Sequence, residues 1–279
     1  MLESYFNFLK QSLNIFSKNT CLYAPFFLEM LITLPVIALL LIAEVGVFSL
    51  IFKLSINSLN SPFAIFLIAL FFFIDAFAVI PIFSYFRAMK IGMYKDAVML
   101  KKTSLDFMFF YGKKFFKTKL RITLLVALAF LIPLLFFGII SGLFYLISPP
   151  LGRITAIITG TLFGIYSIGA GTIVYFSLFF INPIIASQDK PPIDLIKMSF
   201  DYTKANLSKA VITWLIILLF SVSLSLALVV LRAPYNLGML SDVWFPMSLL
   251  ISIIQFLVQT GMTIISDLFI FNIYFKLKK

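Results

Sequence analysis

Long apolar runs that contain no charge constrain this chain more than any other feature. Residues 122–147 and 211–231 are the clearest of them. A helix of 18 or more apolar residues is long enough to cross the ~30 Å hydrocarbon core of a bilayer. In lipid, every backbone N–H and C=O must be met within the protein, so such runs span as α-helices. The composition agrees: 62% of the residues are hydrophobic and 12% charged, against about 25% charged in a soluble domain. The chain reads as an all-α, polytopic membrane helix bundle, with residues 1–279 forming a single integral membrane domain.

Six spans are expected, near residues 22–52, 63–85, 122–147, 154–186, 211–231 and 246–275. Polar turns at 53–62 and 232–245 and a tight hairpin at 148–152 join three pairs. The connection 87–121 is the longest and the most basic. Of the 22 Lys and Arg residues, nineteen fall on one side of this topology: in the N-terminus, 87–121, 188–210 and the C-terminus. Lys53, Arg153 and Arg232 fall on the other. This asymmetry places both termini in the cytoplasm. It also accounts for the net charge of +11 without nucleic acid, since anionic headgroups attract such residues by about 1 kcal/mol each. Lys101, Lys102, Lys113, Lys114 and Lys117 are the candidate contacts to lipid headgroups or to a partner.

Cys21 is the only cysteine and there is no histidine. No disulfide can close within the chain, and the commonest general base and zinc ligand are missing. No catalytic residue, cofactor or metal is expected. Residues 1–20 are amphipathic rather than an apolar core followed by small residues, so a cleavable signal peptide is not expected either.

Three segments share a pattern. Residues 6–20 (FNFLKQSLNIFSKNT) align without a gap on 193–207 (IDLIKMSFDYTKANL), pairing Lys10 with Lys197, Ser12 with Ser199 and Asn19 with Asn206. Residues 104–120 fit after a one-residue adjustment, with Asp106 on Asp194 and Gly112 on Ser199. There, Ser104 can cap a helix whose Leu105, Met108, Phe109 and Gly112 share a face. Each copy precedes a membrane hairpin. The parsimonious reading is three units, 1–90, 91–187 and 188–279, each an amphipathic interfacial helix followed by two spans; chance likeness between amphipathic helices is the alternative. In the third copy Ile193, Ile196, Phe200, Thr203 and Leu207 form an apolar face, set against Asp194, Lys197, Asp201 and Lys204.

The stretch 179–220, FFINPIIASQDKPPIDLIKMSFDYTKANLSKAVITWLIILLF, resembles uncharacterised prokaryotic six-span membrane proteins. That family includes the membrane domain attached to some glycerophosphodiester phosphodiesterases. Pro183, Asp189, Ser199 and Asn206 carry the resemblance, and the opening 8–35 looks like the family's N-terminus. The resemblance implies a prokaryotic inner membrane and six spans. It implies no phosphodiesterase activity, because no such domain lies in these residues, and it brings no catalytic residues with it.

Within the spans, Gln255, Gln259, Thr263 and Asp267 repeat at i,i+4 and form a polar stripe on the sixth. An Asp facing lipid costs about 2.5–3.5 kcal/mol at mid-membrane, so the stripe should face the bundle or a water-filled cavity. It reads either as a solute or proton path or as interhelical hydrogen bonding. Glu29, Glu44 and Asp75 are the remaining span carboxyls. No Lys or Arg is expected deep enough to pair with any of the four acids, which leaves them protonated or bonded to hydroxyls and amides. Ala156, Gly160, Gly164, Ser167 and Gly171 form a small-residue row suited to close helix packing. Pro25, Pro35, Pro81, Pro133 and Pro183 are expected to kink their spans.

Two functions follow. One is a non-enzymatic scaffold or accessory protein that binds lipid, a membrane-protein partner or a second copy of itself through its basic face. The other is a small-solute or proton-coupled transporter using the stripe and the span carboxyls.

Overall fold

The computed structural model describes residues 2–53, 62–236 and 245–277. The turns expected at 53–62 and 232–245 lie largely outside the described residues, as do Lys278 and Lys279. The described chain is helical, with no strand: α1 (Leu2–Lys18), α2 (Ala24–Lys53), α3 (Pro62–Met99), α4 (Met108–Ile147), α5 (Pro149–Ser177), α6 (Ile181–Ser187), α7 (Pro192–Ala205), α8 (Leu207–Asn236) and α9 (Phe245–Leu277). Five stretches among the described residues are long and apolar enough to cross a membrane. The fold is that of a multi-pass membrane protein. The span expected at 63–85 lies within α3, but many of its side chains fall outside the described residues.

The basic connection is not a loop. α3 runs 38 residues and α4 runs 40, about 57 and 60 Å at 1.5 Å per residue, or twice the hydrocarbon thickness. Only residues 100–107 join them. The charges of 87–121 lie almost entirely on helix, because Ala88, Met89, Ile91, Met93 and Tyr94 bury one face of α3 while Lys95 and Asp96 stay outside. Gly92 and Gly112 let the pair close. A Cβ on Gly92 would lie 2.0 Å from the Tyr111 ring, and one on Gly112 3.0 Å from Tyr85. The Tyr111 hydroxyl donates to Asp96. Ser104 accepts from the Asp106 N–H as expected, but Leu105 and Phe109 stay exposed while Met108 and Gly112 are buried.

The buried core is gathered at the basic end, around α3, α4, α6, α7 and the second half of α9. The opposite halves of the long helices show Leu39, Ile42, Ile139, Ile168, Leu219 and Val230 to their surroundings. A bilayer produces this inversion, since lipid tails are as apolar as leucine and give helices no hydrophobic reason to associate.

The fourth apolar run is broken. α5 ends at Ser177 and α6 restarts at Ile181. Pro183 has no N–H and would clash with the carbonyl four residues earlier, but it is tolerated in the first turn of a new helix. Pro25 likewise falls in the first turn of α2 rather than mid-span, while Pro35, Pro81 and Pro133 lie inside helices. The small-residue row is not a packing face: a Cβ on Gly160, Gly164 or Gly171 would meet nothing within 4 Å. α5 meets α4 on another side, through the Ser141–Thr159 hydroxyl pair at 2.6 Å and the Tyr166 hydroxyl donating to the Ala129 carbonyl.

α1 and α7 end alike. Asn19 and Asn206 each donate a side-chain amide to the carbonyl four residues back. Each closes its backbone N–H onto the carbonyl three back and accepts from the N–H three ahead. Ser12 and Ser199 are both fully buried. The side chain of Asn19 also accepts from the Thr103 N–H and donates to the Lys101 carbonyl, pinning the α3–α4 turn where Lys101 takes φ 59°. In α7, Leu195, Ser199 and Thr203 form the buried line and Ile193 and Phe200 face outward, as does Leu207 at the start of α8. The apolar face expected from the sequence is therefore split, with Thr203 inside and the bulky members outside. The small Ser and Thr side chains let α7 approach α5 and α6 closely.

Candidate functional site

Five helices converge on a cavity of about 600 Å³ at the basic end of the bundle. α2 supplies Phe26, Glu29, Met30, Thr33 and Leu34, and α3 supplies Phe83, Arg87, Lys90, Ile91 and Tyr94. Lys119 enters from α4, Asn182 from α6, and Phe256, Thr263 and Asp267 from α9. The wall is apolar where Met30, Leu34 and Phe83 are exposed on the flank of the bundle. In a membrane-spanning helix that side meets lipid. The opposite wall is charged.

The expectation that no cation reaches the span carboxyls is wrong. Lys90 forms an ion pair with Glu29, with the two side chains only 11% and 13% exposed. Its ammonium also lies 3.4 Å from the centre of the Phe26 ring. Such a contact is worth about 0.5–2 kcal/mol. Arg87, Lys90 and Lys119 all act electrostatically on Asp267. The Tyr94 hydroxyl faces Asp267 without closing a hydrogen bond of normal geometry. Lys119 is 6% exposed, and its Nζ donates to Asn182 Oδ1 at 3.0 Å.

The stripe on α9 is divided. Thr263 and Asp267 line the first cavity and also a second, of about 360 Å³, between α5, α8 and α9. Gln259 and Ser266 line only the second, with Ser221 and Ser225 of α8. Gln255 reaches neither, and its buried Oε1 has no partner. Glu44 and Asp75 stand apart from both cavities and act electrostatically on each other. The four acids thus form two separate groups rather than one continuous path along the spans.

Lys101, Lys102, Lys113, Lys114 and Lys117 are exposed, beside the exposed Leu100, Leu105, Phe107, Phe109 and Phe110. Basic and apolar side chains intermixed in this way are typical of surfaces that meet a membrane interface. Among the described residues no group of three His, Cys, Asp or Glu could hold a metal.

The residues missed from sequence are Arg87, Lys90, Tyr94, Lys119 and Asn182. A signal existed for three of them: Arg87, Lys90 and Tyr94 follow one another at i,i+3 and i,i+7 on a helical face that continues the second span. Ending that span at Tyr85 concealed the pattern.

The fold and site define the class, a multi-pass α-helical membrane protein with a charged cavity inside its bundle. No protein-family model, curated protein sequence or solved structure matches the chain.

Proposed function

We propose that this protein is a non-enzymatic multi-pass membrane protein that binds an amphiphile or small solute in the 600 Å³ cavity. The observation that carries the reading is the wall itself. One half holds Arg87, Lys90, Lys119, Glu29 and Asp267, and the other is an apolar flank open beside Met30 and Leu34. Lys90, Lys119 and Glu29 are largely buried, and burying charges is costly unless their cavity is filled by water or a polar ligand. The exposed lysines and aromatics of residues 100–117 support a basic face resting against anionic headgroups or a partner, with both termini cytoplasmic in a prokaryotic inner membrane. The matched ends of α1 and α7 support the three-unit organisation, and the resemblance to prokaryotic six-span proteins supports a sixth span in α3.

Native mass spectrometry of the protein released from mild detergent tests the reading. Wild type should retain a small molecule or lipid, and Thr33→Trp, which fills the cavity, should lose it. Equal retention by both proteins, or none by wild type, would refute it.

A second reading rests on the second cavity. It shares Thr263 and Asp267 with the first, so a solute or proton could pass along α9 from one to the other. Proteoliposome flux that is pH-dependent and lost in Asp267→Asn would favour this transporter over a static binder. Asp75→Asn should leave such flux intact, because Asp75 lines neither cavity.

A further inference from the structure

Three polar groups in the large cavity lack the partners that burial demands. Lys119 is 6% exposed, yet among the described residues no carboxylate oxygen lies within ion-pair distance of it. Among the described residues its hydrogen bond goes to the neutral Asn182. The Tyr94 hydroxyl, on a residue 2% exposed, faces the Asp267 carboxylate but closes no hydrogen bond of normal geometry. Thr33 is also buried with an unpartnered hydroxyl. Thr103 and Thr203 are likewise unpartnered, but of the three only Thr33 lines the cavity; Thr155, Thr159, Thr161, Thr172, Thr213 and Thr263 instead donate to the carbonyl four residues back. An unmet buried donor costs about 1–3 kcal/mol. All three groups line one cavity, beside the Arg87 guanidinium, and all three can donate hydrogen bonds.

The charges give the ligand its sign. Arg87, Lys90 and Lys119 oppose Glu29 and Asp267. Glu29 is taken up by Lys90, and Asp267 sits on the wall shared with the second cavity. One positive charge is left, on the side of Lys119 and Arg87. Four donor groups from three helices approach from several directions, whereas a carboxylate accepts mainly within its own plane. A phosphate offers oxygens on every side and accepts well from Arg and Lys.

We propose that this cavity is a binding site for a phosphate monoanion, held by Lys119, Arg87, Tyr94 and Thr33. The inference rests on the reading of the cavity as a ligand site and names the ligand's chemistry. A phosphodiester lipid headgroup and free inorganic phosphate share that chemistry. The apolar flank at Met30 and Leu34 offers a lipid's chains a path that free phosphate would not use.

Thermal unfolding of the purified full chain in detergent separates the possibilities, with four additives: phosphatidylglycerol, diacylglycerol, oleate and inorganic phosphate. Phosphatidylglycerol should raise the midpoint, and diacylglycerol and oleate should not. The half-maximal concentration should rise at least tenfold in Lys119→Met, Tyr94→Phe and Thr33→Val and stay unchanged in Lys204→Met, which alters an exposed lysine of α7. Without ligand, Lys119→Met should be no less stable than wild type, since it removes an unpaired buried charge. If it fails to fold, Tyr94→Phe and Thr33→Val still decide, because each removes one hydroxyl at nearly constant shape. An equal shift with inorganic phosphate keeps the phosphate site and assigns it to a soluble source. An equal shift with diacylglycerol or oleate overturns the phosphate assignment while leaving a ligand cavity. No shift with any additive, together with an empty cavity by native mass spectrometry, overturns both.

Discussion

Removing one partner of the Glu29–Lys90 pair should damage the protein far more than removing both. The side chains are 11% and 13% exposed, so bulk water replaces a lost partner poorly. Two unit charges 4 Å apart attract by about 4 kcal/mol at an effective dielectric near 20, and much of that offsets desolvation. In Lys90→Met, Glu29 keeps its charge in the cavity without a cation in contact, and the expected loss is about 3–5 kcal/mol. At roughly 2–4 °C per kcal/mol for a chain of this size, the midpoint should fall by about 6–20 °C. Glu29→Gln should cost less, because Lys90 keeps the Phe26 ring at 3.4 Å and the field of Asp267. The double variant Glu29→Leu/Lys90→Met removes both charges and should recover most of the loss, since apolar replacements of buried pairs are often neutral or better by about 1–4 kcal/mol. Fluorescence-detected thermal unfolding in detergent, run as a double-mutant cycle, gives all four values. If the double variant is as unstable as the sum of the singles, the pair is not coupled and its place in the cavity is wrong.

Gly92→Ala should destabilise the α3–α4 contact by about 1–3 kcal/mol, and Tyr111→Ala should not rescue it, because the Tyr111 Cβ itself lies 2.5 Å from the added atom; the same unfolding assay reads both. By contrast, Gly160→Leu and Gly164→Leu should leave the midpoint unchanged or raised, since each new side chain starts in open space and helix propensity favours Leu over Gly by somewhat under 1 kcal/mol. Asn19→Ala should cost about 1–3 kcal/mol by leaving the buried Thr103 N–H unmet, and hydrogen exchange should show early opening of residues 100–107. Burial, aided by the neighbouring Tyr274, pushes the Tyr202 phenol up to about 12. Its stabilising share is whole below the ordinary tyrosine range near 10 and is lost as pH rises through 12. Tyr202→Phe should therefore lose less stability than wild type between pH 10 and 12.

The sequence alone fixed the class of fold, because uncharged apolar runs of more than 18 residues leave a bilayer-exposed chain few options but helices. It also showed the hairpin at 148–152, the capping Ser104, and the likeness of residues 6–20 and 193–207 that reappears in the hydrogen bonds of Asn19 and Asn206. Thr263 and Asp267 were legible as a polar stripe, since i,i+4 spacing is a local property of one helix. What that stripe faces was not legible. Lys90 meets Glu29, and Lys119 and Asn182 line the same cavity as Asp267, from helices far apart in the chain; nothing in local periodicity tells which faces will meet. The small-residue row shows the same limit from the other side: Gly160 and Gly164 had the right spacing for a contact, but α5 turned Thr159 and Tyr166 towards α4 instead. The clearest case is Lys119. Seven residues after the small position of its segment, where the other two segments carry Asn19 and Asn206, α4 has a lysine and runs on unbroken. Only the packing of α4 against α3 and α6 turns that lysine from one more basic residue in a presumed loop into a buried charge lining a cavity.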